Sequence, residues 1–122
     1  MDEHPLTPAA RGVVAAFLIS GAVHLVRPQV IEPLIPPVLP RPRAWVLASG
    51  VAELACAAGM VRGHRWAGPA TAATLLAVWP GNWWYAIETQ RSPDAHPLHK
   101  ALAWGRLPLQ VPMIAAAARP RR

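Results

Sequence analysis

Apolar residues in this sequence are gathered into four long blocks, and nearly all of the charged residues lie in the short segments between them. The blocks span residues 9–26, 44–61, 66–87 and 101–118. A helix that crosses the hydrocarbon core of a bilayer needs about 17 to 25 predominantly apolar residues. Each block has that length, so the pattern predicts one all-α domain over residues 1–122, built as a bundle of four transmembrane helices.

The first two blocks are joined by a segment that cannot be helical throughout, because proline recurs along it. This segment, residues 28–42, reads PQVIEPLIPPVLPRP, and each internal proline removes a backbone donor and clashes with the preceding helical turn. It is also rich in Val, Ile and Leu. We expect a proline-rich loop that lies at the headgroup level or dips into the bundle as a lid, with an ordinary exposed linker as the alternative. Segment 88–100 is polar and is predicted to be a solvated loop.

The charge balance favours a lipid surface over a nucleic acid. Twelve Lys and Arg residues against six Asp and Glu give a net charge of +6. The cations stand singly at the ends of the apolar blocks, which suits contact with anionic headgroups better than a phosphate groove. We therefore expect the lipid bilayer, and no nucleic acid, among the partners.

The distribution of cations also predicts an orientation in the cell membrane. With four spans, one side of the membrane carries Arg11, Arg62, Arg65, Arg119, Arg121 and Arg122. The other side carries Arg27, Arg41, Arg43, Arg91 and Lys100. The first side includes the short basic hairpin RGHR, and basic residues in short loops are typical of the cytoplasmic face. The sequence therefore predicts a multi-pass protein with both termini in the cytoplasm.

Besides Arg11 at the start of the first block, five strongly polar residues fall inside the blocks, where a polar side chain is costly and often functional. Counted from the non-cytoplasmic ends at 1.5 Å per residue, Glu53 and Gln110 lie roughly 14 Å deep, Asn82 and Arg106 roughly 8 Å, and His24 roughly 3 Å. All five belong to one half of the bundle, so we treat them as ligand-binding candidates. We expect Glu53, Arg106 and Gln110 to meet within hydrogen-bonding or ion-pairing distance.

Each candidate also has a structural interpretation. Glu53 could fix helix packing instead of handling protons or a ligand, and His24 could be a proton shuttle, a ligand contact or an interfacial cap. Asn82 and Gln110 are more typical of hydrogen bonds between helices than of site residues. The single Cys56 excludes an internal disulfide, and no HxxxH or ExxH spacing occurs in a span, so no metal site is predicted. No residue is assigned a catalytic role.

The words SGAVHLVRP, IPPVLP, SGVAEL, VWPGNWWYA and RLPLQVP occur in this order between residues 20 and 112. This set resembles the DoxX-like family of small four-helix integral membrane proteins. In that resemblance the histidine before the loop falls on His24, the acid of the second helix on Glu53, the asparagine after proline on Asn82, and the LPLQ element on 107–110. Gly81 departs from the pattern, since the family more often has alanine there, and we expect this glycine to loosen its helix.

The resemblance implies an accessory role, because the family takes its name from a subunit associated with a quinol oxidase. Many members are described as membrane oxidoreductase components. The sequence has no cofactor fingerprint of its own, so a bound quinone or lipid is the expected small molecule. We predict an accessory or binding subunit of a membrane redox or quinone/lipid-linked system, acting as a homo- or hetero-oligomer. The alternatives are a membrane enzyme that uses Glu53 and His24 for acid–base chemistry, and a purely structural assembly subunit.

Overall fold

The computed structural model of the protein describes residues 4–121, and helices make up most of this range. Within it lie two short turns, α2 (Pro28–Ile31) and a 3-10 turn at Glu32–Leu34, and four long helices: α1 (Pro8–Val26), α3 (Pro42–Arg62), α4 (Ala67–Arg91) and α5 (Pro97–Ala118). The only β contact in the described range is an isolated bridge between Leu6 and Arg121. The predicted all-α class is confirmed.

Local sequence signals set the beginnings of the helices. The Thr7 hydroxyl accepts a hydrogen bond from the Ala10 amide at the start of α1, and the His96 ring accepts one from the Leu98 amide at the start of α5. Both helices then open with proline, whose fixed φ suits the first helical position and whose missing N–H costs nothing there. These two starts therefore combine a side-chain cap with a proline.

Each apolar block coincides with one long helix, but the predicted extent of the loop over 88–100 is wrong. Helix α4 continues to Arg91, and α5 already begins at Pro97, so only residues 92–96 separate them. Polar composition alone does not stop a helix, because exposed helical turns tolerate charged residues. Here Glu88 and Arg91 lie one turn apart and approach within 3.7 Å. Segment 28–42 is not a continuous helix, as expected from its prolines.

The four long helices form a closed ring of neighbours. Helix α1 packs mainly against α3, and α4 packs mainly against α5, while contacts between α3 and α4 and between α1 and α5 complete the ring. The Thr7 amide donates to the Pro120 carbonyl at 2.8 Å, and the Arg121 guanidinium donates to the Met60 carbonyl. The first and last described residues and the 63–66 hairpin therefore lie at one end of the bundle, which we call the terminal end. Arg122 of the predicted basic tail lies outside the described residues.

The bundle has an apolar exterior. Two helices of the described range, α1 and α3, are long and apolar enough to cross a membrane. Large apolar side chains are also exposed on all four long helices, among them Leu18, Ile19, Leu47, Val51, Leu76, Trp83, Leu102, Leu109 and Val111. Several polar side chains are instead buried inside: His24, Glu53, Thr71, Asn82, Thr89 and Gln110.

Candidate functional site

A cavity of about 230 Å³ lies at the end of the bundle opposite the terminal end. Residues 28–41, which we call the lid, cover it, and the lid contributes the apolar wall made by Ile31, Leu34, Ile35, Pro36 and Leu39. An ion pair of 3.3 Å between the Arg43 guanidinium and the Glu32 carboxylate ties the lid to α3. We call this space the end cavity. The apolar proline-rich segment therefore packs over the bundle as a lid.

Glu53 supplies the most unusual group in the wall of the end cavity. The residue is 5% exposed, and its Oε2 atom has no hydrogen-bond partner within the described part of the chain. Its nearest basic neighbour is His24, whose Nδ1 lies 3.7 Å from Oε2. Ser20 and Arg106 line the same cavity as Glu53. A buried carboxyl oxygen without a partner is costly, and a ligand could satisfy it.

The tautomer of His24 follows from its hydrogen bond to the backbone. Its Nδ1 atom lies 2.6 Å from the Ser20 carbonyl oxygen, which can only accept a hydrogen bond. Nδ1 must therefore carry the hydrogen, and in the neutral ring Nε2 is an acceptor. His24 and Glu53 both line the end cavity, so the imidazole ring and the carboxyl group border the same space.

Asn82 and Gln110 join α4 to α5. The Asn82 amide donates to the Gln110 side-chain oxygen, and the Gln110 amide donates to the Leu75 carbonyl at 3.1 Å. Their interpretation as hydrogen-bonding residues between helices is confirmed. The predicted contact of Gln110 with Glu53 is wrong, because no hydrogen bond joins the two side chains within the described range, and Glu53 Oε2 has no partner there.

Arg106 lies near Glu53 without pairing directly to it. The guanidinium lines the end cavity, but it forms no ion pair within 4.0 Å of Glu53, and both residues belong to the described range. The expected hydrogen-bonding or ion-pairing contact between Arg106 and Glu53 is therefore wrong. Arg106 is exposed, so it brings a positive charge to the rim of the site while retaining access to the surroundings.

Two contributors were missed by the sequence interpretation. Ser20 lies four residues before His24, and its hydroxyl is 3.4 Å from His24 Nδ1, so the helical spacing could have identified it. Gly81 was expected only to loosen its helix. A Cβ added at Gly81 would lie 3.0 Å from the Leu34 carbonyl oxygen, so this glycine lets the lid backbone approach α4 closely.

The site combines one apolar wall with a compact polar cluster. This arrangement can hold a molecule with an apolar body and a polar end, which would hydrogen-bond to Glu53 and His24 beside the positive charge of Arg106. Across residues 4–121 no group of three His, Cys, Asp or Glu side chains is arranged to hold a metal ion. The four candidates that line the end cavity are His24, Glu53, Asn82 and Arg106, and Gln110 reaches it only through Asn82.

Comparison with known proteins gives a match that covers most of the chain. No curated protein and no solved structure matches the chain significantly. A family model described as a domain of unknown function, DUF8561, matches residues 13–121, a range that includes all five candidate residues and the lid. The chain therefore belongs to the DUF8561 family.

Proposed function

We propose that this protein crosses the cell membrane four times and holds an apolar small molecule, such as a quinone or a lipid, by its polar end. The protein would act as an accessory or binding subunit of a membrane redox or quinone/lipid-linked system. The observation that carries the proposal is the buried Glu53 carboxyl, which borders a cavity with an otherwise largely apolar wall and whose Oε2 has no hydrogen-bond partner among residues 4–121. Linking the site to redox chemistry rests on the resemblance to the DoxX-like family.

The dimensions of the helices support four spans. At 1.5 Å per residue, the 19 residues of α1 extend about 28 Å and the 25 residues of α4 about 38 Å, against a hydrocarbon core of about 30 Å. Helix α4 packs between α3 and α5, and α5 also contacts α1. If α1 and α3 cross the bilayer, α4 and α5 lie beside them at the same depth.

The surface chemistry supports the same arrangement. Ile19 is 68% exposed on α1 and Leu102 is 61% exposed on α5, whereas Glu53 and Gln110 are buried. Large exposed apolar surfaces on soluble monomers are rare outside interaction sites. In a bilayer these side chains would contact acyl chains, and the buried polar groups would be shielded from them.

The topology gives a direct test, in a background where Cys56 is replaced by serine. We expect a cysteine at Asp94 to react with a membrane-impermeant maleimide in intact cells, because residues 92–96 lie opposite the terminal end. A cysteine at His64, and a tag at the C-terminus, should become accessible only after the membrane is opened, since basic short loops favour the cytoplasm. Labelling of positions 64 and 94 from the same face would contradict four spans.

The ligand proposal is tested by replacing Glu53 with glutamine. We expect an apolar molecule to be enriched in wild-type protein over empty lipid nanodiscs, when organic extracts are compared by mass spectrometry. Glu53→Gln should lower that enrichment by about tenfold, because a charge-assisted or carboxyl hydrogen bond is lost in a buried site. The matched control is Glu88→Gln, since Glu88 is exposed and pairs only with Arg91.

Two outcomes would contradict this proposal. One is that wild-type protein retains no apolar molecule above the level found in empty nanodiscs. The other is that Glu53→Gln retains as much as Glu88→Gln while both variants remain folded by circular dichroism. Either result would leave Glu53 as a packing residue.

An enzyme is the second candidate, because Glu53 lies 3.7 Å from the His24 ring. A carboxyl group beside an imidazole ring can perform acid and base steps on a bound molecule, and Arg106 could stabilise developing negative charge. The two candidates differ in turnover. A binding subunit returns the retained molecule unchanged, whereas an enzyme converts it, and Glu53→Gln would abolish the conversion.

A further inference from the structure

A second cavity lies on the other side of the polar cluster. It also measures about 230 Å³, and we call it the side cavity. The wall that it does not share with the end cavity is formed by Ala16, Phe17, Leu75, Leu109, Gln110 and Met113. The two cavities share Ser20, Glu53, Val78, Asn82 and Arg106. Glu53 therefore borders two spaces at once.

Residues of α1 and α5 form most of the wall of the side cavity. These two helices pack less extensively than the other neighbours in the ring. Leu109 borders the cavity and is 57% exposed, while Ala16 and Met113 are half-buried. The neighbouring surface of α5 is apolar, since Val111 is also 57% exposed. An opening framed by such side chains faces acyl chains when the bundle lies in a bilayer.

The shape of the combined space constrains the ligand. Pockets that enclose a whole drug-sized molecule usually measure about 300 to 1,000 Å³, so the side cavity fits part of a molecule better than a complete one. Apart from the shared polar groups, its wall is apolar except for Gln110, whose amide is already hydrogen-bonded to Asn82 and Leu75. This space suits a flexible hydrocarbon chain.

We propose that the side cavity binds the chain of a single-chain amphiphile whose compact polar head lies at Glu53, and that the molecule enters from the bilayer between α1 and α5. This inference rests on the proposed ligand-binding function and specifies the class of ligand and its route. Two classes of single-chain amphiphile have a compact head with a carbonyl oxygen. One is a fatty acid, and the other is a quinone with one isoprenoid or alkyl chain.

Photocrosslinking in nanodiscs tests where the hydrocarbon chain of the ligand lies. Two probes carry the same hexadecyl chain with a terminal diazirine and an alkyne tag, one with a carboxylic acid head and the other with a benzoquinone head. After illumination, peptide mass spectrometry identifies the crosslinked residues. We expect crosslinks to Phe17, Leu109 or Met113 for the probe with the preferred head, because these side chains line the side cavity.

Matched variants separate the side cavity from the lipid-facing surface. Ala16→Phe fills the cavity and should lower these crosslinks by about tenfold, whereas Ala15→Phe places the same ring on an exposed position and should leave them unchanged. A second pair, Met113→Trp against Val111→Trp, makes the same comparison from α5. The second pair keeps the proposal testable if Ala16→Phe fails to fold.

The outcomes distinguish this proposal from the one on which it rests. If Glu53→Gln lowers the crosslinks but Ala16→Phe and Met113→Trp do not, the ligand site at Glu53 is supported. The proposed position of the hydrocarbon chain is then wrong. If the crosslinks fall on lid residues such as Leu34 and Leu39, the chain occupies the end cavity and the proposal is overturned. If none of these variants changes the crosslinks, the probes report only bulk lipid, and both proposals fail.

Discussion

Replacing Gly50 with alanine is expected to lower the free energy of unfolding by about 1 to 3 kcal/mol, the usual cost of overpacking a closely packed contact. A Cβ at this position would lie 2.6 Å from the His24 Cβ and 3.2 Å from the Gly21 carbonyl oxygen. Neither atom is the end of a flexible side chain, so α1 and α3 would have to separate. The same movement would shift His24 away from Glu53.

The measurement is unfolding in mixed micelles, followed by circular dichroism, together with ligand retention in nanodiscs. Gly12→Ala is the matched control, because nothing lies within 4 Å of a Cβ added at Gly12. Alanine there should be neutral or stabilising by up to about 1 kcal/mol, given its higher helix propensity. If Gly50→Ala is as stable as Gly12→Ala, the close approach of α1 and α3 is not as described.

Replacing Gln110 with leucine is expected to cost about 1 to 2 kcal/mol of stability. Gln110 is 4% exposed and makes two hydrogen bonds to α4, one with the Asn82 amide and one with the Leu75 carbonyl. Leucine has a comparable volume but leaves the Asn82 donor without this partner. Buried polar groups left unpaired cost about 1 to 3 kcal/mol, and hydrogen bonds between membrane helices are worth up to about 2 kcal/mol.

The control for this prediction is Gln90→Leu. Gln90 is exposed near the end of α4, and its oxygen accepts one hydrogen bond from the Trp104 indole at 3.3 Å. Removing an exposed hydrogen bond should change stability by less than about 0.5 kcal/mol. Equal stability of the two variants in the same unfolding assay would mean that the Gln110 contacts do not stabilise the α4–α5 pair.

The helices were predictable from the sequence because hydrophobic blocks and prolines report local structure directly. Segment 28–42 was correctly excluded from a continuous helix for the same reason. The end of α4 at Arg91 and the start of α5 at Pro97 were not predictable from polar composition. The last turn of α4 contains Glu88 and Arg91, and α5 begins with the cap at His96 followed by Pro97, which are helix-compatible signals inside a polar segment. The four membrane crossings stay a prediction.

The convergence of four candidate residues on one cavity was predictable from the sequence, but their contacts were only partly predictable, and ligand binding by these residues stays a prediction. Four of the five candidates line one cavity, yet Glu53 lies beside His24 instead of Gln110. Depths counted from the helix ends had placed Glu53 roughly 11 Å deeper than His24. That count gives the rise along each helix but not the axial offset between helices. The offset depends on packing contacts such as the close approach of Gly21 and Gly50. The spacing of apolar residues in the sequence does not predict such contacts.

The hydrogen bonds at the terminal end imply an order of assembly during synthesis. The Arg121 guanidinium and the His4 carbonyl are 117 positions apart in the chain. At about 5 to 20 residues per second, on the order of ten seconds of translation separate them. Helices α1, α3 and α4 can therefore pair before α5 is synthesised, and the contact between α1 and α5 forms last. Until then the faces of α1 and α4 that later border the side cavity are not yet covered by α5.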